Sequence, residues 1–163
     1  MLQLSDADFQ RLVTFMRDRY GINLSQKRLL INSRLSAALQ AKGYTDFTKF
    51  VDELLSGKDA AQVEFILNKL TTNYTYFMRE PAHFSILNNK ILPELFENRK
   101  MGGCSIWNAG CSTGEEVYSI AMLIQDYGDR FERMPAVRIL ATDISAEVLR
   151  KAEKGIYPLK EME

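Results

Sequence analysis

The sequence predicts an all-α N-terminal domain followed by an incomplete α/β domain. Apolar residues recur at helical spacing up to about residue 70, whereas two short apolar strands alternate with two helices after Gly103. The glycine-containing stretch 99–103 marks a linker ahead of these strands. The 163 residues, 46% hydrophobic and 26% charged, suit a small domain joined to part of another.

Four helices are predicted for the N-terminal domain. Ser5 can supply the N-cap of the first helix, which Gly21 ends. Ser25 is expected to cap the second helix, which extends to about Lys42. The third and fourth helices are predicted at Thr45–Leu55 and Ala60–Leu70. The short connections predict a compact helical bundle.

Two prolines shape the segment between the domains. A polar and aromatic turn occupies residues 71–79, and Pro81 then stands where the first turn of a helix tolerates proline. Pro93 is expected to kink this helix or to begin a new turn.

The second domain is predicted to alternate strands and helices. Its elements are expected at Ser105–Ala109 (strand), Glu115–Tyr127 (helix), Val137–Ala141 (strand) and Ala146–Lys154 (helix). This β-α-β-α order predicts parallel strands joined by a right-handed crossover, as in a Rossmann-like domain. The predicted bounds are 1–75 for the helical domain, 76–100 for the connecting helix and linker, and 101–163 for the Rossmann-like domain.

Two strands are too few for a stable parallel sheet, because such sheets are covered on both faces. The Rossmann-like domain is therefore expected to be truncated. The chain could be a fragment of a longer protein, or could complete its sheet with another copy as a homodimer. It could also be a reduced protein that keeps recognition and has lost catalysis.

Charge and cysteine content exclude several functional classes. Lys and Arg number 21, as do Asp and Glu, so the net charge does not indicate nucleic acid as a partner. No apolar run is long enough to enter a membrane as a span. Cys104 and Cys111 are predicted to be free thiols, which favours the cytoplasm, and neither has a neighbour at metal-ligand spacing.

The strand-to-helix turn Gly110–Gly114 carries the clearest chemistry. A glycine turn at a helix N-terminus presents backbone N–H groups to a ligand, but this one matches neither G-x-G-x-x-G nor a P-loop. Glu115 and Glu116 open the helix and would repel a diphosphate, whereas they suit an amine or a sulfonium. Asp143 ends the second strand, where an acid commonly receives ribose hydroxyls. A ligand with ribose but no diphosphate suggests S-adenosylmethionine. Each acid could instead have a local role in capping a turn or a helix.

Three segments are distinctive in order and spacing. Residues 73–79 are Asn-Tyr-Thr-Tyr-Phe-Met-Arg, residues 107–116 are Trp-Asn-Ala-Gly-Cys-Ser-Thr-Gly-Glu-Glu, and residues 141–145 are Ala-Thr-Asp-Ile-Ser. Together they resemble the CheR family of receptor glutamate methyltransferases. The family pattern Asn-x-Thr-x-Phe-Phe-Arg is matched except that Met78 replaces the second Phe, and the resemblance covers the whole chain.

The resemblance implies a cofactor site for S-adenosylmethionine and its product S-adenosylhomocysteine. The implied cofactor-binding residues are Asn73, Thr75, Arg79, Glu116 and Asp143. Arg79 is also the implied catalytic residue, because a guanidinium can hold the cofactor's carboxylate or the substrate glutamate in fixed geometry. Its alternative role is a surface salt bridge with Glu80 or Asp143.

The resemblance also implies that the helical domain docks on cytoplasmic helices of methyl-accepting chemotaxis receptors. Lys27, Arg28 and Arg34 lie in the stretch 22–43, which has no acidic residue, and are the implied docking residues. The alternative is an ordinary solvated face. As an alternative to a methyltransferase that is inactive in this length of chain, the protein could be a non-catalytic receptor-docking or cofactor-sensing module.

Overall fold

A computed structural model describes residues 2–97, 103–130 and 136–161. The chain divides into two compact units, Met1–Thr71 and Thr72–Glu163, here called the helical unit and the α/β unit. The division lies ahead of residue 75, where the helical domain was predicted to end. Of the predicted linker, only Gly103 belongs to the described residues. No helix in the described ranges is long and apolar enough to cross a membrane.

The helical unit is a bundle of four helices. They are α1 (Asp6–Tyr20), α2 (Arg28–Ala41), α3 (Phe47–Leu55) and α4 (Ala60–Leu70). Each contributes an apolar stripe to one core, whose innermost side chains include Leu12, Met16, Ile31, Leu35, Leu39, Phe47, Phe50, Val51, Leu54 and Ile66. Burial of each such side chain stabilises the unit by about 1.5–3 kcal/mol before the entropic cost is counted.

The ends of these helices test the predicted caps. The Ser5 hydroxyl accepts a hydrogen bond from the Asp8 N–H, and Gly21 ends α1 in the left-handed conformation, so both predictions are confirmed. The predicted cap at Ser25 is wrong, because α2 begins at Arg28. The Ser25 N–H instead bonds the Asn23 side chain, and the Lys27 N–H bonds the Leu24 carbonyl. This turn takes the place of the first helical turn that Ser25 would have capped.

The α/β unit begins with a helical segment of changing pitch. It comprises α5 (Pro81–Ile86), a π-helical turn (Leu87–Ile91) and α6 (Leu92–Glu97). The Leu92 N–H bonds the Leu87 carbonyl five residues back, immediately before Pro93. Since proline lacks an N–H and crowds the carbonyl four residues earlier, the wider turn accommodates it without ending the helix.

The predicted β-α-β-α order is confirmed. The elements are β1 (Cys104–Ala109), α7 (Glu115–Gly128), β2 (Val137–Thr142) and α8 (Ala146–Lys154), followed by a short 3₁₀ turn (Leu159–Glu161). The two strands pair in parallel, with Ile106 opposite Ile139 and Trp107 opposite Leu140. This register brings the carboxyl ends of both strands to one edge of the sheet.

The two faces of this sheet differ in what covers them. One face packs Ile106 and Ile139 against a core formed by Leu92, Phe96, Ile124 and Tyr127. On the other face, Trp107 and Leu140 are 69% and 58% exposed. The described part of the chain is thus an all-α unit followed by a partial, Rossmann-like sheet with its helices, as predicted.

Candidate functional site

The glycine turn lies where both strands end. The N–H groups of Gly110 and Cys111 both donate to the Thr142 carbonyl, at 2.8 and 2.9 Å, which ties the end of β1 to the end of β2. Gly114, with φ of +100°, is the N-cap of α7, and a Cβ there would lie 2.5 Å from the Tyr157 hydroxyl oxygen. This position therefore needs glycine for both backbone and space. The carboxyl edge of a parallel sheet is where ligands of α/β proteins bind.

Asp143 connects the glycine turn to the start of α8. Its Oδ2 accepts a hydrogen bond from the Ser112 N–H at 2.8 Å, and its Oδ1 accepts one from the Ser145 N–H at 2.9 Å. Ser112 has a φ of +48°, so the carboxylate helps to hold a conformation that non-glycine residues rarely adopt. Each carboxylate oxygen keeps a second lone pair, so the local role leaves Asp143 able to accept a ribose hydroxyl as well.

The two acids that open α7 face different surroundings. Glu115 is only 4% exposed; its Oε2 accepts from the Thr113 hydroxyl at 2.6 Å, and the Lys151 ammonium lies 4.0 Å from its Oε1. Glu116 is exposed, and its Oε1 accepts from the Asn108 side-chain nitrogen. Of the two, Glu116 is therefore the acid accessible to a ligand, whereas Glu115 is engaged in local contacts.

The side chains of the segment 73–78 alternate in exposure. Asn73, Thr75 and Phe77 are half-buried, whereas the intervening Tyr74 and Tyr76 are exposed. The Ser112 hydroxyl donates to the Asn73 carbonyl at 2.8 Å. Asn73 and Thr75 therefore share the inner side of a segment that is anchored on the glycine turn.

A second anchor holds the far end of this segment. The Met78 N–H donates to the Ser119 hydroxyl at 3.0 Å, and that hydroxyl in turn donates to the Glu115 carbonyl at 2.7 Å. Ser119 lies on α7 and is completely buried. The Phe77 ring packs edge-on against Tyr157, with 5.0 Å between the ring centroids. The segment is thus fastened to α7 and to the chain after α8.

Arg79 follows the anchored segment and is exposed. Its Nη1 donates to the Tyr74 carbonyl at 2.8 Å, and the guanidinium carbon lies 5.8 Å from the centre of the Tyr74 ring. Among the described residues, neither Glu80 nor Asp143 forms an ion pair with it, so the salt bridge considered as its alternative role is not formed. The remaining guanidinium N–H groups can therefore receive a carboxylate.

A cavity of about 320 Å³ lies beside the glycine turn. Its lining is mostly apolar and comes from α7, the end of β2 and α8, with Val117, Tyr118 and Leu149 among its walls. Cys111 borders it, and burial together with the Asp143 charge raises the pKa of that thiol. None of the predicted cofactor-binding residues lines this space, but Cys111 and Gly114 of the glycine turn do.

Two family models together match nearly the whole chain. Residues 7–71 match the all-alpha domain of CheR methyltransferases, and residues 73–163 match the SAM binding domain of the same enzymes. The chain belongs to the CheR methyltransferase family. The junction between the matched regions falls where the helical unit and the α/β unit divide.

Several relatives in the CheR methyltransferase family are named chemotaxis protein methyltransferase. The protein from Borreliella burgdorferi is 44% identical over 161 residues, covering 96% of this chain and 57% of the relative. The proteins from Salmonella typhimurium and Escherichia coli are each 39% identical over 163 residues, covering 99% of this chain and 54% of each relative. The chain thus spans about half the length of these relatives.

The cofactor of the matched CheR domain is S-adenosylmethionine, and the polar groups at the sheet edge fit it. Its ammonium and ribose hydroxyls are hydrogen-bond donors, and the edge supplies carboxylates at Glu116 and Asp143. The turn itself, Gly110–Gly114, carries no basic side chain that would favour a diphosphate. The donor and acceptor chemistry therefore suits this cofactor better than a dinucleotide.

In the helical unit of this chain, two of the three predicted docking residues have local partners. Arg28 pairs with Asp6 and donates to the Leu4 carbonyl, while Arg34 donates to the Thr71 carbonyl at 2.9 Å at the end of α4. Lys27 is exposed at the start of α2. These basic residues are close together in the sequence, but Arg28 and Arg34 also form hydrogen bonds with other segments of the helical bundle.

Sequence reasoning missed Asn108, Ser112 and Ser119 as parts of this CheR-type site. Asn108 and Ser112 lie inside the quoted glycine-turn motif, yet their contacts join residues 8 to 39 positions apart. Ser119 is a small polar residue on the inner face of α7, and that mismatch with its apolar neighbours is the signal that could have indicated a buried hydrogen bond.

Proposed function

We propose that this chain is the N-terminal part of an S-adenosylmethionine-dependent methyltransferase that methylates glutamate side chains of chemotaxis receptors. The observation that supports it most is the convergence of the glycine turn, Glu116 and Asp143 with the anchored segment that carries Asn73 and Thr75. These groups come from separate parts of the sequence and meet at the carboxyl edge of the sheet.

Each residue has a proposed task in binding. Asp143 receives the ribose hydroxyls, and Glu116 pairs with the cofactor's ammonium. Asn73 and Thr75 cover the cofactor from the anchored segment. Arg79 holds a carboxylate, either that of the cofactor or that of the glutamate to be methylated. When bound, S-adenosylmethionine supplies an electrophilic methyl group on a sulfonium.

The reaction demands positioning more than proton transfer. A glutamate side chain has a pKa of about 4.3, so it is already an anionic nucleophile at neutral pH. The chain therefore needs no general base; its task is to align the carboxylate and to exclude water. Of these two tasks, aligning the carboxylate is the one proposed for Arg79, which is exposed beside the anchored segment.

Receptor docking is proposed for the helical unit, with Lys27, Arg28 and Arg34 facing the acidic, methylatable helices of receptors in the cytoplasm. Because Arg28 and Arg34 also hold the bundle, Lys27→Glu is the cleanest charge reversal. Lys58→Glu, at another exposed position of the same unit, is the matched control. Weaker binding to receptor helices in the Lys27 variant alone would support docking, and equal binding of both variants would contradict it.

Calorimetry with S-adenosylmethionine and S-adenosylhomocysteine tests the cofactor site. Asp143→Ala is expected to lower affinity at least about 10-fold, or about 1.4 kcal/mol, whereas Asp126→Ala on the exposed side of α7 should leave it unchanged. Transfer of labelled methyl groups to receptor glutamates by the protein at its full natural length tests the activity. Absence of cofactor binding in the unaltered protein would overturn the proposal.

One observation favours a second candidate function, a docking or sensing module that works as a homodimer. The uncovered face with Trp107 and Leu140, on a sheet of only two described strands, could be completed by another copy. Sedimentation velocity over a range of concentrations tests it: a dimer without methyl transfer would favour this candidate, and a monomer would exclude it.

A further inference from the structure

Asn108 is a buried polar residue beside the proposed cofactor site. It is the penultimate residue of β1 and is only 5% exposed. Its Nδ2 donates to Glu116 Oε1, but its Oδ1 is buried and has no hydrogen-bond partner among the described residues. A buried acceptor without a partner is costly, so its position calls for an explanation.

The hydrogen bond to Glu116 determines which atom of the Asn108 amide is the nitrogen and which is the oxygen. A carboxylate only accepts hydrogen bonds, so the atom facing Glu116 has to be the amide nitrogen, and the oxygen is the atom left over. Gln62 Oε1 in the helical unit is also buried and lacks a partner among the described residues, but Gln62 as a whole is only half-buried. Asn108 is 5% exposed, and it lies where β1 runs into the glycine turn.

We propose that Asn108 is a cofactor-contacting residue, whose Oδ1 accepts a hydrogen bond from the ammonium group of S-adenosylmethionine while its Nδ2 orients Glu116 toward the same charge. The inference rests on the proposed function and assigns this site a further residue. An ammonium has three donors and no acceptor, so it can satisfy the amide oxygen and the carboxylate together.

A neutral amide suits this position better than a second acid. The amide nitrogen attracts Glu116, whereas an aspartate at the same place would bring two carboxylates within hydrogen-bond distance and raise the pKa of one of them. Asn108→Asp is therefore expected to lose the hydrogen bond that orients Glu116 once both acids are ionised.

The test pairs a protein change with a ligand change. S-adenosylhomocysteine and its deamino analogue, which lacks only the ammonium, are titrated into the unaltered protein and into Asn108→Leu and Asn108→Ser at full natural length. We expect S-adenosylhomocysteine to lose at least about 10-fold in affinity in both variants, while the analogue, already weak, changes less than about 2-fold. This non-additivity locates the effect of Asn108 at the ammonium.

Other outcomes separate the possibilities. Equal losses for both ligands would mean that Asn108 only ties β1 to α7, and would overturn the inference while leaving the proposed function standing. Unchanged affinity in both variants would do the same. If the unaltered protein binds neither ligand, the proposed function itself fails. Thermal unfolding of each variant checks folding, and Asn108→Ser is the smaller change if Asn108→Leu unfolds.

Discussion

The helical unit and the α/β unit bury their apolar residues in different ways. Four helices of the helical unit shield one core, in which Leu12, Leu39 and Val51 have no exposed surface. The sheet of the α/β unit has one covered face and one face on which Trp107 is exposed. The difference teaches that the helical unit contains the layers its core needs, whereas a parallel sheet of this kind needs a further layer on the Trp107 face.

The largest expected effect on stability comes from a substitution in the core of the helical unit. Phe50→Ala should lower the free energy of unfolding by about 3–5 kcal/mol, because the ring is buried between Tyr44 and Phe65, with centroids 5.5 and 5.9 Å away. Urea unfolding followed by circular dichroism measures it. Leu29→Ala, at an exposed position of α2, is the control and should change stability by less than about 0.5 kcal/mol. Similar losses in both variants would contradict an enclosed core.

The next largest effect compares the cost in stability of replacing one glycine in each unit with alanine. Gly114→Ala should cost about 2–4 kcal/mol, because a left-handed backbone is combined with a Cβ that would lie 2.5 Å from the Tyr157 hydroxyl and 3.0 Å from the Ala152 Cβ. Gly57→Ala in the helical unit has φ of +67° but open space, so about 1–2 kcal/mol is expected. Thermal unfolding of both variants decides; equal costs would mean that the turn relaxes around the new methyl group.

A smaller effect is expected from the buried hydroxyl that anchors the segment 73–78. Ser119→Ala removes the acceptor of the Met78 N–H and should cost about 1–2 kcal/mol. Hydrogen exchange at the Met78 amide should accelerate, whereas Ser33→Ala on the exposed side of α2 should leave that amide unchanged. Unaltered exchange in Ser119→Ala would show that the anchor is dispensable.

The smallest predicted effect is a pH dependence confined to the helical unit. The hydrogen bond to Glu53, followed by burial, raises the pKa of Tyr44 to about 12, and the same bond lowers the pKa of Glu53. The raised pKa of Tyr44 means that its contribution is complete below about pH 10 and is lost as the pH rises through about 12. The lowered pKa of Glu53 means that its contribution is present at neutral pH and is lost as the pH falls through the folded-state pKa. Tyrosinate absorbance should include a component from Tyr44 that titrates at about pH 12, and Glu53→Gln should bring that component to lower pH.

Local signals in the sequence predicted much of the fold. Ser5, Gly21 and the range Ala60–Leu70 were predicted correctly because caps and apolar periodicity act within one helix. The cap at Ser25 was wrong because the Asn23 side chain offers a competing local hydrogen bond. The π-helical turn before Pro93 was not specified, because proline signals an interruption without stating its form.

The candidate site was harder to predict than the fold. Motifs indicated the glycine turn and Asp143, but the different surroundings of Glu115 and Glu116 depend on Thr113, Lys151 and Asn108. The two serine anchors likewise join residues that are distant in sequence. Such contacts follow from packing between elements, and residue types along one segment carry little information about them.

Trp107 is the only tryptophan of the chain, and it lies on the uncovered sheet face with its indole N–H bonded to the Thr142 hydroxyl at 3.0 Å. This position makes it an intrinsic fluorescence probe of whatever packs there. Emission from a water-exposed indole is expected at long wavelength, and a shift to shorter wavelength would report that the face has become covered. The protein thus carries an optical label at the place where its sheet needs a further layer.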